Sequence, residues 1–585
     1  MTLPIFRHSG IPRKPYPEGT SKDTLMSKYA LRQASPSKLT IAVGLALGAG
    51  TASAGSDIPV TTTADAGPGS LRQAIIDANN SAGSDSIDMS AISGSTITLS
   101  SDLDQIAEYE DLQISGANVT LDGNGQACFY SEANLYISDL TITNCAGTPF
   151  GKSASRYGGA IEVAGGNSLY LVDAVITGNT ADVGGGVYVG GDAYILNTTI
   201  SNNSATGNVG GISATESLTI LESTITGNSA GESSGGFRCS SLYGCSFNMQ
   251  NSSVTGNTAV EGAGGGFAYA KYGDQGVFID ASTISSNTAG IEAGGVSIVT
   301  KYEAPLNQIN NSTVTANSAA IGGGIYTLDI YYNEYGVDLG DVTFDINGST
   351  IAVNTSTASA GGGILSVNGS ATYGYDTIFN IDNSIIQGNI AASSGVDIET
   401  AAPSVTLGNL EARSISLLNS YKGLTDGQRS TALERIALFA QRQTTRGTSE
   451  ATFNLNYTVL GEAPVGPSVF NPDGATSGAI GSNAQLGPLG DNGGPTPTHL
   501  PGTGSIAFDF IPDGVNGCGT TFNVDQRGDP RPFGSGCDAG SVEGVPLPES
   551  VPVPTMTRWG TGILALGLAL MGWLGFRRRS STMEK

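Results

Sequence analysis

From residue 169 to 389 the chain repeats one spacing of apolar and polar positions. A β-branched residue is followed three positions later by Asn in ITGNTA, ISNNSA, ITGNSA, VTGNTA, ISSNTA, VTANSA, IAVNTS and IQGNIA. This sets Asn179, Asn203, Asn228, Asn257, Asn287, Asn317, Asn354 and Asn389 at equivalent points. The intervals of 24, 25, 29, 30, 30, 37 and 35 residues are those of a solenoid whose loops vary in length. Five residues before each anchor stands an apolar residue: Leu171, Ile195, Ile220, Met249, Ile279, Ile309, Ile346 and Ile381. Another commonly stands seven before, as at Leu169, Leu218, Phe247, Val277, Phe344 and Phe379. Apolar residues with polar ones between them follow the two-residue period of strands with one buried face, which excludes helix.

After each Asn comes a glycine cluster and a further short apolar run, as in Gly184-Gly185-Gly186-Val187, Gly235-Gly236-Phe237 and Gly322-Gly323-Gly324-Ile325. Glycine permits sharp corners between strands. Two or three short strands per repeat, glycine corners and an Asn in register predict an all-β, right-handed parallel β-helix with coils over 106–424. Stacked coils let each Asn amide bond the amides above and below it. N-glycosylation, the other reading of Asn-x-Ser/Thr, suits outward loops and not one fixed place beside the core.

A solenoid needs covered ends. In TTTADAGPGSLRQAIIDANN, Leu71, Ala74, Ile75 and Ala78 share one helical face and Ser70 can serve as N-cap, so residues 55–105 are expected to form an N-terminal cap. The phrase GSLRQAI followed by Ala-Asn resembles the cap of bacterial surface β-helix proteins, including polymorphic outer-membrane-protein-like families. LDGNG at 121–125 resembles an early coil of the pectate-lyase-like superfamily. Beyond 400 the repeat decays. Leu433, Ile436, Ala437 and Ala440 are at helical spacing, with Thr425 or Asp426 as cap, predicting an inserted helix over 425–447 that covers apolar edge.

Residues 448–543 are expected to hold terminal coils and a further module. Gly487-Pro488-Leu489, Asp491-Asn492-Gly493-Gly494-Pro495-Thr496, Asp525-Gln526-Arg527-Gly528, Pro530-Arg531-Pro532 and Cys537-Asp538-Ala539-Gly540 resemble the choice-of-anchor Q domain. That resemblance implies a module standing just before a C-terminal anchor, with no chemistry assigned to its residues. A Pro-rich linker follows over 544–558.

Both ends read as addresses. Lys28, Arg32 and Lys38 precede the apolar LTIAVGLALGAG, and Ala52 and Ala54 fit the small-residue rule for cleavage after Ala54, so 1–54 is expected to be a secretory signal, with Met26 as an alternative start. At the other end a seventeen-residue apolar stretch broken only by Thr561, Gly560 to Phe576, precedes Arg577, Arg578 and Arg579. The length reaches the lower limit for a membrane-spanning helix of about 17 to 25 residues, and the arginines orient it with the bulk of the chain outside the inner membrane. Val553, Pro554 and Thr555, with Trp559 and Gly560 ahead of the helix and arginines, resemble the IPTL-type sorting tail of Gram-negative bacteria, with Val553 for the usual Ile and Met556 for the usual Leu. The resemblance implies an exosortase-like processing partner and a transient inner-membrane stage before release to the cell surface or the exterior.

The whole chain carries a formal charge of −25; without 1–54 and 558–585, 14 basic and 48 acidic residues remain, a net of −34. Such a surface excludes nucleic acid as a partner. Its acids are scattered and form no repeated calcium loop, so no metal site or cofactor is expected, with Ca²⁺ the one cation the charge would attract. The six cysteines fit an oxidising compartment. Their neighbours suggest Cys128 with Cys145, Cys239 with Cys245 and Cys518 with Cys537, among fifteen pairings that six cysteines allow. Cys145 stands where later coils have Asn. Only His8 and His499 are present, which excludes His-based triads and His-rich metal sites.

No residues over 55–424 are singled out as catalytic. Asp182, Glu232, Glu261 and Glu292, between Asn and Gly cluster in their repeats, form the one candidate flank for a cation or sugar; solvated loop acids are the plainer reading. Tyr188, Tyr269 and Tyr326 follow the Gly clusters and suit either a carbohydrate face or simple coverage of the coils. The expectation is a non-catalytic surface protein serving adhesion, surface structure or matrix association, with glycans or host surfaces as partners. The alternative is a polysaccharide lyase or glycoside hydrolase.

Overall fold

The computed structural model describes residues 54–107, 111–149, 156–241, 244–270, 276–300, 306–329, 341–358, 361–368, 377–392, 397–401, 451–465 and 469–544. The signal segment through Ser53, the 425–447 helix and the tail from 545 onward lie outside them. Among the described residues no helix is long and apolar enough to cross a membrane.

The chain winds as a parallel β-helix. Among the described residues three parallel sheets run along the rod: one of 24 strands between Ala54 and Pro472, one of 10 between Phe129 and Ala401, and one of 8 between Thr180 and Ala391. The anchors stack in register from Ile142 through Ile176, Ile200, Ile225, Val254, Ile284, Val314, Ile351 and Ile386 to Leu460. The apolar residues five and seven positions earlier join them in one continuous core. At the seventh position Phe344, Phe379 and Phe453 stack ring on ring at 4.9 and 4.6 Å.

The coils of Ile176 through Ile386 each have four strands, more than the two or three expected, whereas the coil of Leu121 has two, Leu112–Asp122 and Phe129–Ser131. The coil of Ile176 runs Leu169–Val172, Val175–Thr177, Thr180–Ala181 and Val187–Val189. The break between the first two answers a problem in the pattern. A five-residue step puts two residues on opposite faces of a continuous strand, yet Leu171 and Ile176 are both buried. The residue three before the anchor takes a left-handed conformation and shifts the alternation by one. This holds at Asp173, Asn197, Glu222, Asn251, Ala281, Asn311, Gly348 and Asn383, with φ from +44° at Asn311 to +57° at Gly348. The chain turns again two residues after the anchor, at positions that include Gly178, Asn202, Gly227 and Val353.

The second turn swings Asn inward. Asn179, Asn203, Asn228, Asn257, Asn287, Asn317, Asn354 and Asn389 are all buried, and each Nδ2 donates to the next Oδ1 at 2.9 to 3.0 Å. Nδ2 also donates to the anchor carbonyl of the preceding coil, as from Asn203 to Ile176 at 2.9 Å. The amide therefore has a partner for every donor in a place water does not reach. The ladder begins at the backbone N–H of Cys145, which donates to Asn179 Oδ1. It ends on the carboxylate of Asp397, 2.9 Å from Asn389 Nδ2.

A second ladder runs beside it. The residue two before the anchor is Thr198, Ser223, Ser252, Ser282, Ser312, Ser349 or Ser384, all buried. Each hydroxyl accepts from the equivalent backbone N–H one coil earlier at 3.0 to 3.2 Å. Thr458 continues the series by donating its N–H to Thr476. The repeat resumes at Phe453, Leu455, Tyr457, Thr458 and Leu460, without the left-handed turn after the anchor and without the Asn.

The glycine clusters serve the ladder more than the corners. A Cβ on Gly186 would lie 3.0 Å from Asn203 Nδ2, and one on Gly363 would lie 2.8 Å from Asn389 Nδ2. One glycine of each cluster, the last in most and Gly265 in the cluster 264–266, is the floor on which the next coil's Asn rests, so the two motifs recur together.

At the N-terminal end α1, Leu71–Asn80, buries Leu71, Ala74, Ile75 and Ala78, and Ser70 accepts from the N–H of Gln73. Arg72 ties the helix to the strand end beneath through Asp65 at 2.8 Å and the carbonyls of Ser101 and Asp102. Strands Ala54–Pro59, Ser84–Asp88 and Thr96–Thr98 already belong to the 24-stranded sheet. At the other end α2, Gly474–Ala479, capped by Asp473, lies against the last coil. The three disulfides are Cys128–Cys145, Cys239–Cys245 and Cys518–Cys537.

Candidate functional site

The stacking that orders the ladders also orders the loop acids. Backbone hydrogen bonds run from Gly207 to Asp182, Glu232 to Gly207, Glu261 to Glu232 and Glu292 to Glu261, at 2.9 to 3.3 Å. The four acids therefore share one flank, with Gly207 holding the coil between the first two. Their environments differ. Glu261 is exposed, Asp182 and Glu232 are half-buried, and Glu292 is buried. Asp182 accepts from the N–H of Arg156 at 2.8 Å and from the Thr206 hydroxyl at 2.6 Å, fastening three coils together. Among the described residues no three His, Cys, Asp or Glu side chains are grouped to hold a metal ion.

The tyrosines divide similarly. Tyr188 meets Tyr157 edge to face, with centroids 4.9 Å apart. Tyr326 is fully buried in an apolar cluster with Phe267, Val299, Leu328, Leu365 and Val367, and Tyr269 packs against it. These residues alternate along their strands with core residues such as Ile325 and Ile364, so they belong to the opposite side of the 10-stranded sheet. An open aromatic face for sugar is not available at Tyr326.

A further site lies where the module expected within 448–543 docks on the rod, a contact no repeat in the sequence foretells. Residues 483–544 fold back along the rod and seat on the outward side of the 24-stranded sheet. Gln526, buried, is the central contact. Its amide nitrogen Nε2 donates to Thr283 Oγ1 at 2.9 Å and to the Ser282 carbonyl at 3.2 Å, while its Oε1 accepts from Thr313 Oγ1 at 2.6 Å. Ser541 donates its N–H to Thr350 Oγ1 at 3.0 Å. Asn516 and Asn383 exchange hydrogen bonds. His499 donates from Nδ1 to the Gly487 carbonyl at 2.6 Å, which leaves Nε2 to accept from Thr315, 2.9 Å away. Burial holds this imidazole below its usual pKa.

Phe522 explains the one glycine among the first-turn residues of the Asn-bearing coils. A Cβ on Gly348 would lie 2.1 Å from its ring, where other coils have Asp, Asn, Glu or Ala. Behind the contact, Arg531 is fully buried, donates to Glu543 Oε2 at 2.9 Å and to the Asp538 and Gly540 carbonyls at 2.7 Å, and lies 4.0 Å over the Phe522 ring. Burial pushes the Asp538 carboxyl up to about 7, with Glu543 adding to the effect. The Asp525-Gln526-Arg527-Gly528 and Cys537-Asp538-Ala539-Gly540 phrases are thus interior and interface of this domain.

Ala52 and the tail residues Val553, Pro554, Thr555, Trp559, Gly560, Arg577, Arg578 and Arg579 lie outside the described residues; Ala54 opens the first strand. The fold defines a parallel β-helix protein with a laterally docked C-terminal domain. No family model, no curated protein and no solved structure matches the chain.

Proposed function

We propose that the protein is a non-catalytic rod of the Gram-negative cell surface, exported through the general secretory route and serving adhesion, surface structure or matrix association. On this reading the module within 448–543 is a choice-of-anchor Q-type domain, and the tail beginning at Val553 passes through the inner membrane and is cut by an exosortase-like enzyme. The rod is taken as right-handed, since parallel strand crossovers are right-handed in about 98% of cases.

The observation that carries the reading is the seating of residues 483–544 across several coils immediately ahead of the Pro-rich segment 544–558. A domain so placed joins whatever holds the tail to the length of the rod. The C-terminal mass of the protein isolated from its native cells tests it: a terminus near Pro554-Thr555 supports processing, and an intact Lys585 refutes it.

The alternative, a polysaccharide lyase or hydrolase on the acidic flank, predicts depolymerisation across a panel of extracellular glycans that Glu261→Gln or Glu292→Gln abolishes. What supports the non-catalytic reading is that Asp182 is engaged by the Arg156 N–H and the Thr206 hydroxyl and that Glu292 is buried.

A further inference from the structure

We propose that residues 483–544 act as a lateral clasp, making the coils of Ile284, Val314, Ile351, Ile386 and Leu460 one cooperative unit. In a solenoid each coil touches only its neighbours, so the end coil can open alone and the rest can follow singly. This domain breaks that rule. It occupies the same register position, one before the anchor, in successive coils: Thr283 through Gln526 and Pro497, Thr313 through Gln526 and Ser541, Thr350 through Ser541, and Ile385 against Gly540. Val459 joins the same apolar cluster as Ala484, Ala507 and Ala539.

All five are at most 1% exposed. Their counterparts in the earlier coils, Thr199, Thr224 and Ser253, are only half-buried. The contacts alternate between hydroxyls read by one glutamine and one serine and a ring seated over Gly348, so the domain fits only when these coils are stacked in their native order. The clasp has two consequences. Opening the last coil requires releasing the domain from all five, and the domain finds its complete seat only after the coil of Leu460 has formed.

Hydrogen exchange on the full chain tests this. In the native protein the strands Thr283–Ser285, Thr313–Thr315, Thr350–Ala352, Ile385–Gln387 and Val459–Leu460 are expected to share one opening free energy with Gly536–Cys537. Gly348→Asn keeps a residue the first turn accepts elsewhere, at Asn197, Asn251, Asn311 and Asn383, but blocks Phe522. Gln526→Ala removes the central contact without touching the rod. In each variant protection of the five strands is expected to fall roughly tenfold or more, graded from Val459 back toward Thr283, while Thr224–Thr226 keeps its native protection.

Three results overturn the proposal. In the first, Gly536–Cys537 loses protection while the five strands keep theirs. In the second, Thr224–Thr226 falls equally with them, so that the rod opens as a whole. In the third, neither the domain nor the strands change in either variant.

Discussion

The side-chain amide of Asn228 donates to Asn257 Oδ1 at 2.9 Å, and the backbone N–H of Asn228 donates to the same oxygen at 2.9 Å, across 29 residues of sequence. One side chain thus satisfies both a main-chain and a side-chain donor of its neighbour. Asn257 in turn donates to Asn287 and to the Ile225 carbonyl.

Asn257→Ala strips partners from buried groups on both sides of its coil. Each orphaned buried polar group costs about 1–3 kcal/mol, so destabilisation on the order of 3 kcal/mol is expected, read as a lower midpoint in urea unfolding. A loss below about 1 kcal/mol, the net value of a single ordinary hydrogen bond, would show that the ladder is not a principal source of stability.

Val353 is β-branched, half exposed and left-handed at φ +58°, where equivalent coils have Gly178, Gly227, Gly256 and Gly388. The left-handed region costs an L-residue roughly 1–2 kcal/mol. Val353→Gly is therefore expected to stabilise the protein by about 1 kcal/mol, seen as a higher unfolding midpoint. A lower midpoint contradicts this account of the second turn.

Several buried carboxyls stand above their ordinary pKa. Burial pushes Asp280 and Asp397 up to about 6 and Asp538 to about 7. A carboxyl whose folded-state pKa is raised contributes its full stability below the unfolded value near 3.8 and loses it as pH rises through the folded value. The melting temperature should therefore be higher at pH 5 than at pH 8. His499, held low by burial, opposes this trend. In Asp397→Asn, Oδ1 still accepts from Asn389 but no longer titrates, so the gain on acidification should shrink. An undiminished gain would remove Asp397 from the explanation.

Ser70→Ala removes the acceptor for the Gln73 N–H at the start of α1. N-cap removal costs about 1 kcal/mol, so exchange protection in Leu71–Asn80 should fall while that of the central coils stays unchanged. Unchanged protection in α1 would mean that core packing alone holds it.

The rod was legible because each coil carries its own copy of the instructions. Leu71, Ala74, Ile75 and Ala78 lie on the face that α1 buries, and each Asn stands at its offset. The Ser/Thr ladder stands in the same repeats, but the alternation alone does not mark it. A small polar residue inside an alternating pattern looks outward-facing until the left-handed turn before it is known. The order of the acids along the sequence does not reveal that Glu292 is buried and Glu261 is not.

Repetition determined the coil, its ladders and the direction of stacking, because those bonds join equivalent positions and recur at every turn. Only the tertiary structure decided where residues 483–544 come to rest. Gln526 meets Thr283 across 243 residues and Ser541 meets Thr350 across 191. No local period encodes such a pairing, which depends on the shape of a surface that exists only after several coils have closed.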